Sequence, residues 1–226
     1  MLNKNILVVV AHPDDETLGM GGTIRKHVNA GDNVFVISMT DGVSSRNDSL
    51  SEGISERSKA ANLASEYLGF VWDESYSFAD NAMDQYPLLE LVKCIEKTKN
   101  KIKPNLVYTH SAADLNIDHR VLAEAVLTAF RPSPNEICKE IRLFEVPSAT
   151  DFGHENITGR FVPNLFIGIE ETWPLKLSAL QAYGSEMRDY PHSRSLEGVK
   201  NLVELRGNQV GLTMAEAFQV VRKIKS

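Results

Sequence analysis

The first structural signal in the chain is also its strictest. Ile6 to Ala11 reads ILVVVA, β-branched and apolar on both faces, and runs directly into His12-Pro13-Asp14-Asp15-Glu16. A strand with no polar face has to be covered on both sides, as a central strand of a parallel sheet is by its crossover helices. The run is too short for a signal-peptide core and is broken at His12 and Pro13. No apolar stretch approaches the roughly 20 residues that a membrane-crossing helix needs. These features lead us to expect a cytoplasmic protein without membrane insertion.

The segments that follow alternate. A helix is expected from Glu16 or Thr17 through Asn29, with Leu18, Ile24 and Val28 near helical spacing and Ala30-Gly31-Asp32 as its stop. Val34 to Met39 reads as a second strand, and Ser55 to Tyr67 and Leu88 to Asn100 as helices. Asn105 to Thr109 is the next strand and Asp118 to Phe130 the next helix, ending at Arg131-Pro132. Ile141 to Val146 and Leu165 to Ile169 read as strands, the latter antiparallel or at an edge. Helices are expected over Pro174 to Tyr183, Leu196 to Arg206 and Met214 to Ile224. Strand–helix alternation up to about residue 146 predicts an α/β fold, Rossmann-like, with a mainly parallel sheet flanked by helices. The Ser-, Asn- and Gly-rich connection from Thr40 to Ile54 reads as a flap beside the site.

With 226 residues, 42% of them hydrophobic and 24% charged, the chain suits a single domain over residues 1–226 and rules out wholesale disorder. Its 24 basic and 30 acidic side chains leave a net charge of −6, no footprint for a phosphate backbone, so nucleic acid is not an expected partner. Cys94 and Cys138 are far apart, in neither a CxxC pair nor a metal-ligand spacing, and read as buried free thiols.

In such sheets, ligands bind outside the carboxyl ends of the strands. His12 to Glu16, Thr40-Asp41 and His110 to His119 all fall there. Three carboxylates within Asp14-Asp15-Glu16 repel one another unless a cation lies among them, and no Lys or Arg stands in the motif. Asp114-Leu115-Asn116-Ile117-Asp118-His119 forms a second cluster on the same sheet edge. Zn2+, or a similar ion such as Fe2+ or Mn2+, suits such imidazole and carboxylate donors. His12 and His119, with either Asp14 or Asp15, would be its ligands. The aspartate that does not ligate is placed to act as general base on the water.

Gly19-Met20-Gly21-Gly22 faintly matches a dinucleotide fingerprint, but position 24 is Ile24 and the three carboxylates crowd the turn a pyrophosphate would occupy. The glycines read instead as sites of close helix-to-sheet packing.

AHPDDE after an apolar first strand resembles the PIG-L/LmbE family of zinc-dependent N-acetylglucosamine de-N-acetylases. Thr40-Asp41-Gly42, the pattern from Arg57 to Gly69, Phe78-Ala79-Asp80-Asn81 and the cluster from Asp114 to His119 extend the likeness over nearly the whole chain. The resemblance implies His12, Asp15 and His119 as metal ligands, Asp14 as general base, Asp118 as an orienting neighbour, and Arg57 and Asp80 as sugar-binding groups. Asn116 stands where many members carry a histidine that protonates the leaving amine. Asparagine can donate to an oxyanion but cannot supply that proton. Asp14 is then expected to shuttle it, with His110 or Asn116 at the oxyanion. Ala60 and Tyr183 also depart from the family pattern. His27 and His154 read as surface groups, and His192 as a contact to substrate or to a neighbouring subunit.

The expected activity is removal of acetate from an N-acetylated amino sugar or its conjugate, a small-molecule partner, by a chain that the resemblance allows to be a homo-oligomer. A non-catalytic sugar or nucleotide-sugar binding protein and an amidase acting on another acylated amine are the competing readings.

Overall fold

In the computed structural model, which describes residues 3–42 and 50–225, Ile6, Val8 and Val10 face one apolar layer, and Leu7, Val9 and Ala11 the other. All six are fully buried. This strand, β1 (Asn5–Val10), is followed by α1 (Asp15–Asn29), β2 (Asn33–Thr40), α2 (Leu50–Leu68), β3 (Val71–Phe78), α3 (Leu88–Ile102), β4 (Leu106–His110) and α4 (Ile117–Ala129). Then come β5 (Glu140–Phe144), a one-turn α5 (Glu155–Thr158), β6 (Leu165–Gly168), α6 (Trp173–Ala182), α7 (Leu196–Asn208) and β7 (Ala215–Lys223).

The strands form one sheet in the order β3-β2-β1-β4-β5-β7-β6. β1 to β5 pair in parallel, and β7 runs antiparallel to both β5 and β6. The order reverses between β1 and β4, so their carboxyl ends open the crevice in which such sheets bind ligands.

The Rossmann-like α/β expectation holds, with two corrections. Met214 to Ile224 is not a helix: β7 occupies it. Met214, Phe218 and Val221 happen to fall at helical spacing, but the slot between β5 and β6 rewards the extended form, and that tertiary pairing overrides local pattern. β3 was not anticipated, because VWDESYSF alternates only weakly. β6 lies at the sheet edge as expected. α2 begins well before Ser55, and residues 43–49 of the expected Thr40–Ile54 flap lie outside the described residues.

The glycine cluster packs as expected. α1 is broken at Met20 (φ −150°, ψ 21°). A Cβ on Gly19 would sit 2.4 Å from the Phe144 ring, and one on Gly22 would sit 2.8 Å from Ile169, so both must lack side chains for α1 to lie this close to the sheet. His27 is not a surface group: it is half-buried, with Nδ1 2.7 Å from Asp32 and Nε2 2.9 Å from the Tyr108 hydroxyl. Exposed His154 caps α5. Cys138 is buried and Cys94 half-buried.

Candidate active site

Pro13 ends β1 abruptly, and Asp14 turns the chain into α1 with φ 142°, a conformation costly for a non-glycine residue by about 1–3 kcal/mol. The turn folds Asp15 back, so that its Oδ2 accepts from the His12 amide at 2.9 Å. Across the crevice, Asn116 caps α4 by accepting from the Asp118 amide, and the first turn of that helix delivers His119.

His12 Nδ1, Asp15 Oδ2 and His119 Nε2 converge, with separations of 3.1, 3.3 and 3.3 Å. Donors of a tetrahedral zinc ion at about 2.0–2.1 Å stand about 3.3 Å apart, so the triangle already has the right edge. Asp15 Oδ1 is buried with no hydrogen-bond partner, as expected of a carboxylate awaiting a cation. The outer nitrogens are backed by carboxylates: His12 Nε2 lies 3.0 Å from Asp80 Oδ1 and 3.2 Å from Asp118 Oδ2, and His119 Nδ1 lies 3.1 Å from Asp114 Oδ2. Such carboxylates fix the ring orientation of a ligating imidazole. His12, Asp80 and Asp118 also lie together. Asp118 is already committed, however: Oδ2 accepts from the Asn81 amide and Oδ1 from the Met83 amide.

The electrostatics fit a divalent ion. Burial would keep His119 neutral, but Asp15 and Asp114 raise it to about 9. His12 is likewise held well above its usual value, the bonds to Asp118 and Asp15 outweighing burial. Burial pushes Asp15 up, yet the imidazoles packed around it, His119 foremost, bring it well below the usual range. The cluster thus gathers protons where a metal would place positive charge, and metal binding would release them.

Asp14 stands beside the triangle. Burial raises its carboxyl, opposed by two cations, with Arg57 Nη1 at 2.9 Å and Arg194 Nη1 at 3.4 Å from Oδ2. Arg57, expected as a sugar-binding group, also has a place within the protein. It is buried, donates to the carbonyls of Pro13 and Gly42, pairs with Glu186, and so holds the turn that carries Asp14. Asp80 is likewise a partner of His12. Both still border a cavity of about 110 Å³ over the triangle.

His110 is the clearest correction. It is fully buried behind the site, its ring stacked 3.8 Å from that of His119, and its Nε2 accepts from the Ala11 amide. Burial and the His119 charge hold it well below its ordinary value. It supports His119 and has no face toward the crevice. Tyr183 is also buried, its hydroxyl donating to Glu16 at 2.9 Å, with Glu16 itself raised by burial to about 7.

Arg194, Glu186 and Asn81 were not assigned to the site from sequence. Arg194 and Glu186 come from the tail, where no motif marks them. Asn81 accepts from Asn116 Nδ2 at 3.1 Å and lies within Phe78-Ala79-Asp80-Asn81, one of the stretches that carry the family likeness.

The fold and site define a Rossmann-like protein with a buried His/Asp cluster, of a kind that could hold a metal ion, at its topological switch point. The chain matches the PIG-L family model, described as GlcNAc-PI de-N-acetylase, over residues 7–130, more than half its length, and belongs to that family. It is 29% identical over 188 residues to the uncharacterized deacetylase YaiS of Escherichia coli, covering 80% of this chain and 91% of the relative. A probable N-acetyl-α-D-glucosaminyl L-malate deacetylase 2 of Bacillus anthracis is 26% identical over 193 residues, 81% of each chain. The solved N,N'-diacetylchitobiose deacetylase of Pyrococcus horikoshii shares the fold, with a TM-score of 0.77 at 23% identity, covering 97% of this chain and 84% of that one. Among the described residues, no helix is long and apolar enough to cross a membrane.

Proposed function

We propose that this protein is a cytoplasmic, metal-dependent N-deacetylase, one domain over residues 1–226, that hydrolyses the acetamide of an N-acetylglucosamine-like sugar or its conjugate. The observation that carries the reading is the donor triangle of His12, Asp15 and His119 with a carboxylate, Asp14, beside it. Those three residues would hold Zn2+, or Fe2+ or Mn2+ with the same donors. An ion bound there supplies Lewis acidity toward a carbonyl and brings the pKa of water to about 7.

The chain's own groups do the rest. Both guanidiniums engage Asp14 Oδ2, which leaves Oδ1 to accept a proton from the attacking water and return it to the leaving amine nitrogen. Asn116 gives one amide hydrogen to Asn81, and its second is assigned to the oxyanion. Asp80 and Asp118 orient His12, and Asp114 orients His119.

The test is an acetate-release assay across N-acetylglucosamine and its conjugates, with and without chelator. Release that chelator abolishes and zinc restores is expected. Stoichiometric bound metal with no acetate from any substrate would overturn the reading in favour of a sugar-binding protein, a role that Asn116 in place of an acid would suit.

A further inference from the structure

Asp14, the proposed base, has a backbone conformation that non-glycine residues avoid, so neighbouring groups must hold it there. Although it occupies the N-cap position of α1, its side chain makes no capping bond. Glu16 takes that place: two residues on, it reaches back with Oε2 to accept from the Asp14 amide at 3.0 Å, as the acidic half of a capping box does. The Asp14 carboxylate is thereby left to the cavity it borders. Glu16 is itself held from a distance, because its Oε1 accepts from Thr17 Oγ1 at 2.7 Å and from the Tyr183 hydroxyl at 2.9 Å. Thr17 moves with the turn. Tyr183, by contrast, stands at the end of α6 and is packed in the apolar layer against β1, so its hydroxyl pins Oε1 and keeps Oε2 aimed at the Asp14 amide.

The main chain of Tyr183 begins a second tether. Its carbonyl accepts from the Glu186 amide at 2.8 Å, Glu186 Oε2 lies 3.1 Å from Arg57 Nη2, and Arg57 Nη1 lies 2.9 Å from Asp14 Oδ2. The end of α6 therefore grips Asp14 twice, by its amide and by its carboxylate. Tyr183 and Glu16 are at most 1% exposed and neither borders the cavity, so they act on a substrate only through Asp14. We propose that Tyr183 is a positioning residue for the hydrolysis: through Glu16 it fixes the strained turn that aims the Asp14 carboxylate at the attacking water. This rests on the deacetylase reading with Asp14 as base. Removing the hydroxyl loosens the first grip and leaves the main-chain one in place.

The test compares Tyr183→Phe with Tyr108→Phe in the zinc-supplemented protein. Tyr108 is an equally buried tyrosine of the same apolar layer, but its hydroxyl bonds His27 and Arg142, which do not border the cavity. Y183F should raise the hydrogen-exchange rate of the Asp14 amide about tenfold, on the scale of one lost hydrogen bond, while amides of residues 24–28 in the same helix stay within about twofold. Its kcat for acetate release should fall about tenfold, with KM and bound metal within about twofold. Y108F should do neither.

An Asp14 amide that exchanges in Y183F as it does in the unsubstituted protein overturns the proposal. So does a rise shared by the whole helix, or a fall in kcat that Y108F reproduces, since either marks a general loss of stability. Faster exchange at Asp14 with kcat unchanged, or a loss confined to KM, also overturns it, because the turn would then be held without consequence for the proton step. In each of these cases an active unsubstituted protein leaves the deacetylase reading standing. Absence of acetate release from the unsubstituted protein defeats that reading and the role in hydrolysis with it, and the exchange of the Asp14 amide then shows whether Tyr183 holds the turn.

Discussion

Two clusters of buried charge lie against α1, and they are built on opposite terms. Where the helix breaks at Met20, Glu216 from β7 accepts from the Gly22 and Thr23 amides at 2.9 and 2.7 Å, and Lys176 from α6 closes the set at 2.6 Å from Glu216 and 2.9 Å from the Leu18 carbonyl. Opposite charges are matched, and both carboxylate oxygens are used. At the helix's first residue, Asp15 keeps an unpartnered buried oxygen, and the side chains against its other oxygen include the imidazoles of His12 and His119 and, among the described residues, no Lys or Arg. The first set matches its own charges as a structural ion pair does, whereas an unpartnered carboxylate oxygen beside two converging imidazoles has the chemistry of a cation site.

That contrast breaks most readily at His119. His119→Ala should lose bound metal by elemental analysis and lose acetate release to background. Full metal occupancy in this variant would mean that the donor triangle is misassigned. Asp14→Asn should keep its metal and its fold while turnover falls by about 10²–10⁴, the usual worth of a positioned proton acceptor. Near-normal turnover would remove Asp14 as the base.

The self-satisfied cluster should respond the other way. Glu216→Gln leaves Lys176 buried beside a neutral amide, which should lower stability by about 3–5 kcal/mol in urea unfolding. Metal content per folded molecule should not change. A loss of metal with unchanged stability would exchange the two clusters' roles.

The sequence exposed these clusters unequally, and the reason is physical. His12, Asp14 and Asp15 are consecutive with a strand end, and strand position alone puts them in the crevice, so that half of the site was legible. His119 was legible because its helix begins after a neighbouring strand. His110 shares that strand end, but spacing does not say which way a ring turns, and here it turns inward against His119 and the Ala11 amide. Arg194 and Glu186 reach Asp14 and Arg57 only through the tertiary course of the tail. Glu216 was hidden by its own element: placed on a supposed helix, it had no reason to meet Gly22, and only as part of β7 does it approach the break in α1.

The finest test lies in the carboxylates behind the triangle. Asp114 is fully buried, faces His119 Nδ1 at 3.1 Å, and accepts from the Asn116 amide and the Thr150 hydroxyl. If it serves to orient a ligating imidazole, Asp114→Asn should weaken metal affinity about 10–100-fold in a competition titration, because an amide holds the ring less firmly and makes it a poorer donor. The substitution keeps the side-chain volume and an acceptor oxygen, so the loop contacts to Asn116 and Thr150 can persist. A purely architectural Asp114 would instead show a stability loss with metal affinity unchanged. That outcome would move Asp114 from the cluster built for a ligand to the kind of cluster that Glu216 and Lys176 form.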